Sequence, residues 1–577
     1  MAAREVHIGI IGFGPKGLYG LERLLASLHA HQEVPRVHVH LYNKTGAFAT
    51  GWVYAINQPR YLLMNYPNGF ISLAPVDAPP AICNIMSFTQ WQAIASHESI
   101  AHEQHQVAPR REVGKYLSYY FDKLCETVHK NITVHRHIAT VTGIEQDDCG
   151  YLVKSTSGSS SARFSSLLIT TGHSPSIESR SQHNTDDRFT IPFVYPVMKK
   201  LGDIKPQAVV ACMGMGLTAI DTILALTEGR GGKFIRKARG WRYVKSGEEP
   251  RCILPYSRSG LPIIPRGVNG FKQEQTSFYL RQYVSSLSAK ATQLDFIEDV
   301  LPLIKQDILA HYYHSLFKIH GFKPSPPGNF ETLQQDIKSF HATHESIARF
   351  DVGEFLTGNL GHEDIREYWQ FWIDENQDAT SPFLAAAAAW RFLADDFNYL
   401  YSNDLLTPSS KIEFQKSYFG LFNRIAYGPP VVNIQKMLAL MDSGILDCSM
   451  AAHPEIKIEG NARRLVLKDK QVSIDHSIDA RLPRGFSKGA SVIFTQDDSL
   501  FSMYDCKGDI TELNCSIHGH PINPQGEEIK SITLYGTPTE GKLFDNDSLS
   551  RKQNDTATQW AHNTVAQIIK NENCTPV

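Results

Sequence analysis

The sequence predicts an α/β chain of two dinucleotide-binding, Rossmann-like units, the second inserted in the first, plus a helical insertion. Three observations predict it. Val6-His7-Ile8-Gly9-Ile10-Ile11 runs into Gly12-Phe13-Gly14-Pro15-Lys16-Gly17-Leu18. Ala208-Val209-Val210-Ala211-Cys212 is followed by Gly214-Met215-Gly216-Leu217-Thr218-Ala219. After a long helical stretch, strand patterning returns toward the C-terminus, where Ile532-Thr533-Leu534-Tyr535 leads into Gly536-Thr537-Pro538. Each glycine turn reads G-x-G-x-x-G/A, which lets backbone approach a pyrophosphate at a helix N-terminus. One such turn also arises for packing reasons. Two in one chain predict two dinucleotides, one a flavin (FAD) and one a nicotinamide.

In the first unit the turn leads into a helix over 18–28 and then a strand, Val37-His38-Val39-His40-Leu41-Tyr42. An acidic residue usually ends that strand and holds the ribose. Asn43 stands there instead, able to hydrogen-bond a hydroxyl without charge assistance. Short alternating segments over 132–164 predict a β-meander with a Ser-rich hairpin loop at 157–161. The strand Leu167-Leu168-Ile169 then ends at Thr170-Thr171-Gly172-His173-Ser174-Pro175. There Thr171 and Gly172 mark either the crossing between nucleotide units or a plain strand-end turn.

The second unit is predicted over 196–270. Its helix, 217–227, stops at Gly229, with Gly231 and Gly232 beyond. The strand Cys252-Ile253-Leu254-Pro255-Tyr256 delivers Ser257 and Arg258. A hydroxyl and a guanidinium there suit the 2′-phosphate of NADPH, whereas an acid would favour NADH. The bland alternative for Arg258 is a solvated surface charge. These bounds place the first unit at 1–195, a helical insertion at 271–410 and completion of the first unit at 411–577.

The helical insertion shows itself by Ile297, Leu301, Ile304, Ile308, Tyr312 and Leu316, spaced three or four apart on one face. Tyr368, Trp369, Phe371 and Trp372, and then Trp390, Phe392 and Phe397, read as core stripes. His311/His314 and His341/His344 lack any accompanying carboxylate or cysteine ligand pattern, so no metal is expected.

Composition narrows the class. The 577 residues have room for roughly two or three domains. With 57 Lys and Arg against 59 Asp and Glu, bulk charge suggests neither nucleic acid nor membrane as partner. The longest apolar stretch, around Phe383 to Trp390, is far shorter than the roughly 20 residues of a membrane span. The first strand starts five residues in, leaving no room for a signal peptide. Nine cysteines with no Cys-x-x-Cys read as reduced thiols in a cytoplasmic protein and argue against dithiol flavoprotein reductases.

Gly12-Phe13-Gly14-Pro15-Lys16-Gly17-Leu18 resembles the Gly-x-Gly-Pro-x-x-Leu turn of flavin-dependent N-hydroxylating monooxygenases. Across most of its length the chain resembles a bacterial FAD/NAD(P)-binding family. The matching segments are Leu62-Leu63-Met64-Asn65-Tyr66-Pro67, Pro109-Arg110-Arg111-Glu112-Val113-Gly114-Lys115-Tyr116-Leu117, Leu226-Thr227-Glu228-Gly229-Arg230-Gly231-Gly232, Ser257-Arg258-Ser259-Gly260-Leu261-Pro262, Ala480-Arg481-Leu482-Pro483 and Tyr535-Gly536-Thr537-Pro538-Thr539-Glu540-Gly541. Members resembling nitrosuccinate-forming enzymes use FAD, NADPH and molecular oxygen to oxidise the amine of aspartate to a nitro group. The resemblance therefore implies oxygen transfer from a C4a-hydroperoxyflavin to the amine of a small amino acid, in secondary metabolism. It also implies that Leu63, Met64 and Asn65 lie near the flavin ring, with Asn65 bonded to flavin or retained NADP; the alternative for Asn65 is a cap on the turn before Pro67.

Such chemistry asks little of side chains, because the cofactor performs it and the protein supplies orientation and dryness. An amino-acid carboxylate does want a bidentate arginine. Arg266, Arg424 and Arg481 follow structured segments and are the candidates, each with a structural ion pair as its alternative. Two other classes share these motifs: an NADPH-dependent flavoprotein reductase or dehydrogenase, and a Baeyer–Villiger or S-oxygenating monooxygenase. A flavoprotein serving as a binding or scaffold module, such as an RNA-modifying assembly, is a third, disfavoured by the charge balance and by the expectation of no Lys/Arg-rich tract.

Overall fold

The structure, a computed structural model, describes residues 5–31, 33–96, 104–173, 189–267, 277–287, 293–325, 329–358, 361, 364–459, 462–482, 492–494, 499–505, 511–546, 548–551 and 554–573. Ser174, Pro175 and Pro483 of the segments above lie outside them. The chain divides into two compact units: one of 1–62, 66–186 and 482–577, the other of 63–65 and 187–481.

The first unit is built on five parallel strands in the order Ile132–His137, Arg36–Tyr42, Glu5–Ile11, Phe164–Ile169, Ile532–Leu534. A strand from the far C-terminus thus completes a sheet begun at residue 5. The meander strands Val141–Asp147 and Gly150–Ser155 pair antiparallel, and the second of them meets Phe164–Ile169. The helix Pro15–His29 starts with Pro15, whose missing N–H is no loss in the first turn. Its Leu18, Leu21, Leu24, Leu25 and Leu28 are buried at three- and four-residue spacing. Gly20 lets this helix sit close on the sheet, since a Cβ there would fall 2.2 Å from Leu168 Cδ2. The meander side of the core joins Ile11, Tyr42, Ile144, Val153, Leu167 and Leu534.

The edge of this sheet carries an unusual row. Alternation on the parallel strands puts His7, His38, His40, His135 and His137 on one face, with His7 opposite His38 and His40 opposite His135. Imidazole nitrogens pair His7 with His40 at 3.1 Å, His38 with His135 at 2.9 Å and His40 with His137 at 3.0 Å.

The second unit has a parallel sheet in the order Cys252–Tyr256, Val209–Met213, His476–Asp479, Thr190–Ile191. Its helices include Leu301–Ile319, Ile365–Glu375 and Pro382–Ser402, whose aromatic stripes are core: Tyr368, Trp369, Trp372, Trp390 and Phe397 are all buried. His311 and His314 pack on Phe278, and His341 Nε2 lies 2.9 Å from the Tyr313 hydroxyl. No helix among the described residues is long and apolar enough to cross a membrane.

This unit extends beyond the bounds read from the sequence. Helices continue through Val431–Asp442, well past residue 410. The strand His476–Asp479, expected in the first unit's completion, pairs with Val209–Met213 instead, and the first unit resumes at Leu482. A glycine turn marks where a nucleotide unit opens, but strand composition does not say which distant strand closes its sheet.

Candidate functional site

In the first unit the three glycines of the turn meet three different surroundings. Gly12 has φ +90°, and a Cβ there would stand 2.7 Å from the Thr171 backbone. Its N–H and that of Phe13 both donate to the Tyr42 carbonyl at 2.9 Å, tying the turn to the neighbouring strand. Gly17 is packed, a Cβ there lying 3.1 Å from Phe13 Cδ2 and Thr170 Oγ1. Gly14 alone faces room: only the Gly51 backbone would come within 4 Å, at 3.8 Å. Sharp turn, open approach and tight helix packing are the three demands of a pyrophosphate cradle. The residues present therefore fit the diphosphate of FAD.

Other residues singled out from the sequence gather at this turn. Thr170 Oγ1 donates to the Gly12 carbonyl at 2.7 Å, so Thr171 and Gly172 run alongside it, and Gly172 has open space where a Cβ would be. Gly536, at φ +79°, packs against Lys16, with a Cβ there 3.2 Å from Lys16 Cγ. Lys16 Nζ donates to the Ser550 carbonyl at 3.3 Å and lies 4.6 Å from the centre of the Tyr535 ring. Its ammonium serves the C-terminal segment.

Asn43 is a correction. Its Nδ2 donates to the carbonyls of Phe13 and Ala47, at 2.9 and 3.0 Å, and its Oδ1 accepts from Thr45 N and Oγ1, both at 2.9 Å. Two donors and two lone pairs are all an amide has. The side chain holds the turn and has nothing left for a ribose.

The second unit repeats the pattern. Gly214 has φ +123° and abuts the Ala480 carbonyl at 3.0 Å from a built Cβ, and its N–H donates to the Tyr256 carbonyl at 2.8 Å. Gly216, at the N-terminus of the helix Leu217–Leu226, has nothing within 4 Å. Ala219, at the third position, is buried. Leu217 opens the helix, and Thr218 is buried in its first turn. Ser257 Oγ accepts from Gly260 N at 3.1 Å, while Arg258 is exposed and donates from Nη2 to the Lys416 carbonyl at 3.2 Å. This cradle fits a second dinucleotide.

The three candidate arginines separate. Arg481 already grips a carboxylate, with Nε and Nη2 on Asp479 at 2.9 and 2.8 Å. Arg424 is buried and donates to the Tyr368 hydroxyl and, at 2.6 Å, to the Leu356 carbonyl. Both make the structural contacts that were the alternative for them. Arg266 donates from Nη1 to the Asn65 carbonyl at 3.2 Å. Asn65 in turn donates from Nδ2 to the Tyr427 carbonyl at 3.1 Å. Leu63, buried Met64 and Asn65 all pack with the second unit, although the chain on either side of them belongs to the first.

Two participants escaped the sequence reading. Tyr427 supplies the carbonyl that fixes Asn65. Arg391, on the helix Pro382–Ser402, donates to the Ala426 carbonyl at 2.6 Å. Burial and the Arg266 charge push its guanidinium down to about 9. A cation within the apolar run from Leu384 to Leu393 was the available signal.

Residues 9–174 match the FAD-NAD(P)-binding family. A nitrosuccinic acid synthase of Aspergillus oryzae is 25% identical over 594 aligned residues, covering 93% of this chain and 88% of that one. The nitrosuccinate-forming L-aspartate N-monooxygenase of Streptomyces cremeus is 25% identical over 84% of this chain and 81% of its own. Among solved structures, L-lysine 6-monooxygenase from Pseudomonas syringae aligns over 98% of this chain and 99% of its own, at 12% identity and a TM-score of 0.47. The chain carries an FAD-NAD(P)-binding domain, and its relatives over most of its length are nitrosuccinate-forming aspartate N-monooxygenases.

Proposed function

We propose that this protein is an FAD- and NADPH-dependent monooxygenase that N-oxygenates the amine of a small amino acid. The observation that carries the reading is the pair of glycine turns, each with an open middle glycine, Gly14 and Gly216, in a chain whose curated relatives oxidise the aspartate amine. Bound FAD would supply the redox chemistry, in which two electrons from NADPH reduce molecular oxygen so that one atom enters the substrate and the other leaves as water. Aspartate and its near analogues are the first substrates to try.

Within this reading Gly12, Gly14, Pro15, Gly17, Thr171, Gly172 and Gly536 hold FAD. Gly214, Gly216, Leu217 and Thr218 hold the NADPH diphosphate, and Ser257 with Arg258 receives its 2′-phosphate. Arg266 orients the substrate carboxylate, with Arg391 adding positive charge beside it. Asn65 keeps Arg266 in place through its carbonyl and is itself fixed by Tyr427. No general base is required of the chain: the substrate amine attacks oxygen only when neutral, so turnover climbs with pH as the ammonium of the substrate deprotonates.

The test is amine-dependent NADPH oxidation coupled to hydroxylamine, nitroso or nitro products by mass spectrometry. Peroxide as the sole product with every amine, alongside oxygenation of a ketone or thioether, replaces this reading with a Baeyer–Villiger or S-oxygenating one. Rapid-mixing oxidation of the reduced protein that returns directly to oxidised flavin supports a reductase instead.

A further inference from the structure

Residues 230–245 contain seven Lys and Arg and no Asp or Glu, in a chain whose formal net charge is −2. They form an antiparallel hairpin, Lys233–Arg236 with Trp241–Val244, turned at Gly240 with φ +73°. The register sets Lys233 opposite Val244, Phe234 opposite Tyr243, Ile235 opposite Arg242 and Arg236 opposite Trp241. Alternation then sorts the hairpin into two faces.

On the inner face the aromatic side chains are held. The Phe234 and Tyr243 rings lie 4.8 Å apart, and the Tyr243 hydroxyl donates to Glu249 at 2.7 Å. Trp241 Nε1 donates to Gln435 on the helix Val431–Asp442, and Lys436 of that helix sits over Phe234. Arg230, the first of the seven cations, is spent on the carbonyls of Leu201, Ile204 and Glu248.

The outer face is not satisfied. It presents Lys233 and Arg242 together with Ile235 and Val244, which are 45% and 37% exposed. Arg236, Lys237, Arg239 and Lys245 are exposed around it, and none of these six cations makes an ion pair or a side-chain hydrogen bond among the described residues. Like charges this dense repel one another. The hairpin is also a sheet of two strands, neither of which pairs with a third strand among the described residues.

We propose that this hairpin is a docking face for an acidic, extended segment of another protein. Carboxylates of that segment pair with Lys233 and Arg242, and its alternating apolar side chains cover Ile235 and Val244. The arrangement argues against the two other polyanions a basic patch could meet. Nucleic acid wants aromatic rings to stack on, yet Phe234 and Tyr243 point inward. An anionic membrane wants Trp at the interface, yet Trp241 is bonded to Gln435.

The test uses the full-length protein and a short fluorescein-labelled peptide of alternating Glu and Val, read by fluorescence anisotropy. Duplex DNA and phosphatidylglycerol vesicles serve as the competing ligands. The expected result is salt-sensitive peptide binding that Lys233→Glu with Arg242→Glu weakens by about tenfold or more, while the variant keeps the wild-type melting temperature. Ile235→Ser with Val244→Ser weakens the binding that survives at high salt. Tighter binding of DNA or vesicles than of the peptide overturns the proposal. So does peptide affinity indifferent to the charge reversal, or no binding at all.

Discussion

Arg266 donates from Nη1 to the backbone carbonyl of Asn65 at 3.2 Å, which joins two residues that lie 201 positions apart in the chain. The bond anchors the Arg266 guanidinium to the Asn65 backbone, and bidentate capture of a carboxylate is the role proposed for it. Replacing Arg266 by Ala is expected to raise the substrate KM by about 10- to 100-fold, the worth of a charge-assisted hydrogen bond. NADPH-driven flavin reduction without substrate stays near wild type. Steady-state and rapid-mixing kinetics on one preparation check both, and loss of the reductive step would assign Arg266 to the fold.

Arg258 is the residue proposed to set coenzyme preference. Among the described residues it makes one hydrogen bond, to a carbonyl at 3.2 Å, and its guanidinium is exposed. Arg258→Ala is expected to raise the NADPH concentration needed by about tenfold and leave NADH use nearly unchanged. Equal losses with both coenzymes contradict the assignment.

The two glycines at the start of the first turn give opposite outcomes. At Gly12 an alanine meets backbone at 2.7 Å in a left-handed conformation, so Gly12→Ala is expected to cost several kcal/mol, about the scale of a severe backbone clash. Gly14→Ala has room and is expected to fold with a melting temperature close to wild type, yet to release its flavin more readily. Thermal melting and flavin fluorescence of the two variants separate stability from cofactor binding.

The histidine row is expected to make the first unit acid-sensitive. Burial, with His135, His137, His7 and His38 beside it, pushes His40 down to about 3, and His7, His135 and His137 are lowered as well, chiefly by burial. Glu5, whose carboxylate lies 3.8 Å from His38 Nε2 and from Arg36, is the facing acid. A histidine lowered on folding binds more protons when unfolded, so its contribution is fully present above about 6.5 and declines as pH falls toward the folded value. The melting temperature of wild type is expected to fall on acidification below that point, and less so for His40→Gln. Parallel profiles for the two proteins would remove the row as the cause.

Much of the fold was legible because its signals are local. The alternation in Val37-His38-Val39-His40 and the glycine spacing at 12, 14 and 17 each report on a few neighbouring residues. What stayed hidden was long-range. Nothing in His476–Asp479 says that it pairs with Val209–Met213, and nothing near Asn65 names Tyr427 or Arg266 as its partners. Asn43 shows the limit of position-based inference: it occupies the usual ribose position, but four short-range hydrogen bonds claim it for the turn. Whole-chain charge likewise concealed the basic hairpin, because 57 cations against 59 anions balance only in sum.

The most direct measurement supplies the purified, FAD-loaded protein with NADPH, isotopically labelled oxygen gas and aspartate, alongside other amino acids and amines, and follows products by mass spectrometry. The expected product is an N-oxygenated amino acid carrying the heavy oxygen, formed in proportion to NADPH consumed. Labelled hydrogen peroxide alone with every amine, or heavy oxygen found only in a ketone-derived ester or a sulfoxide, would contradict it.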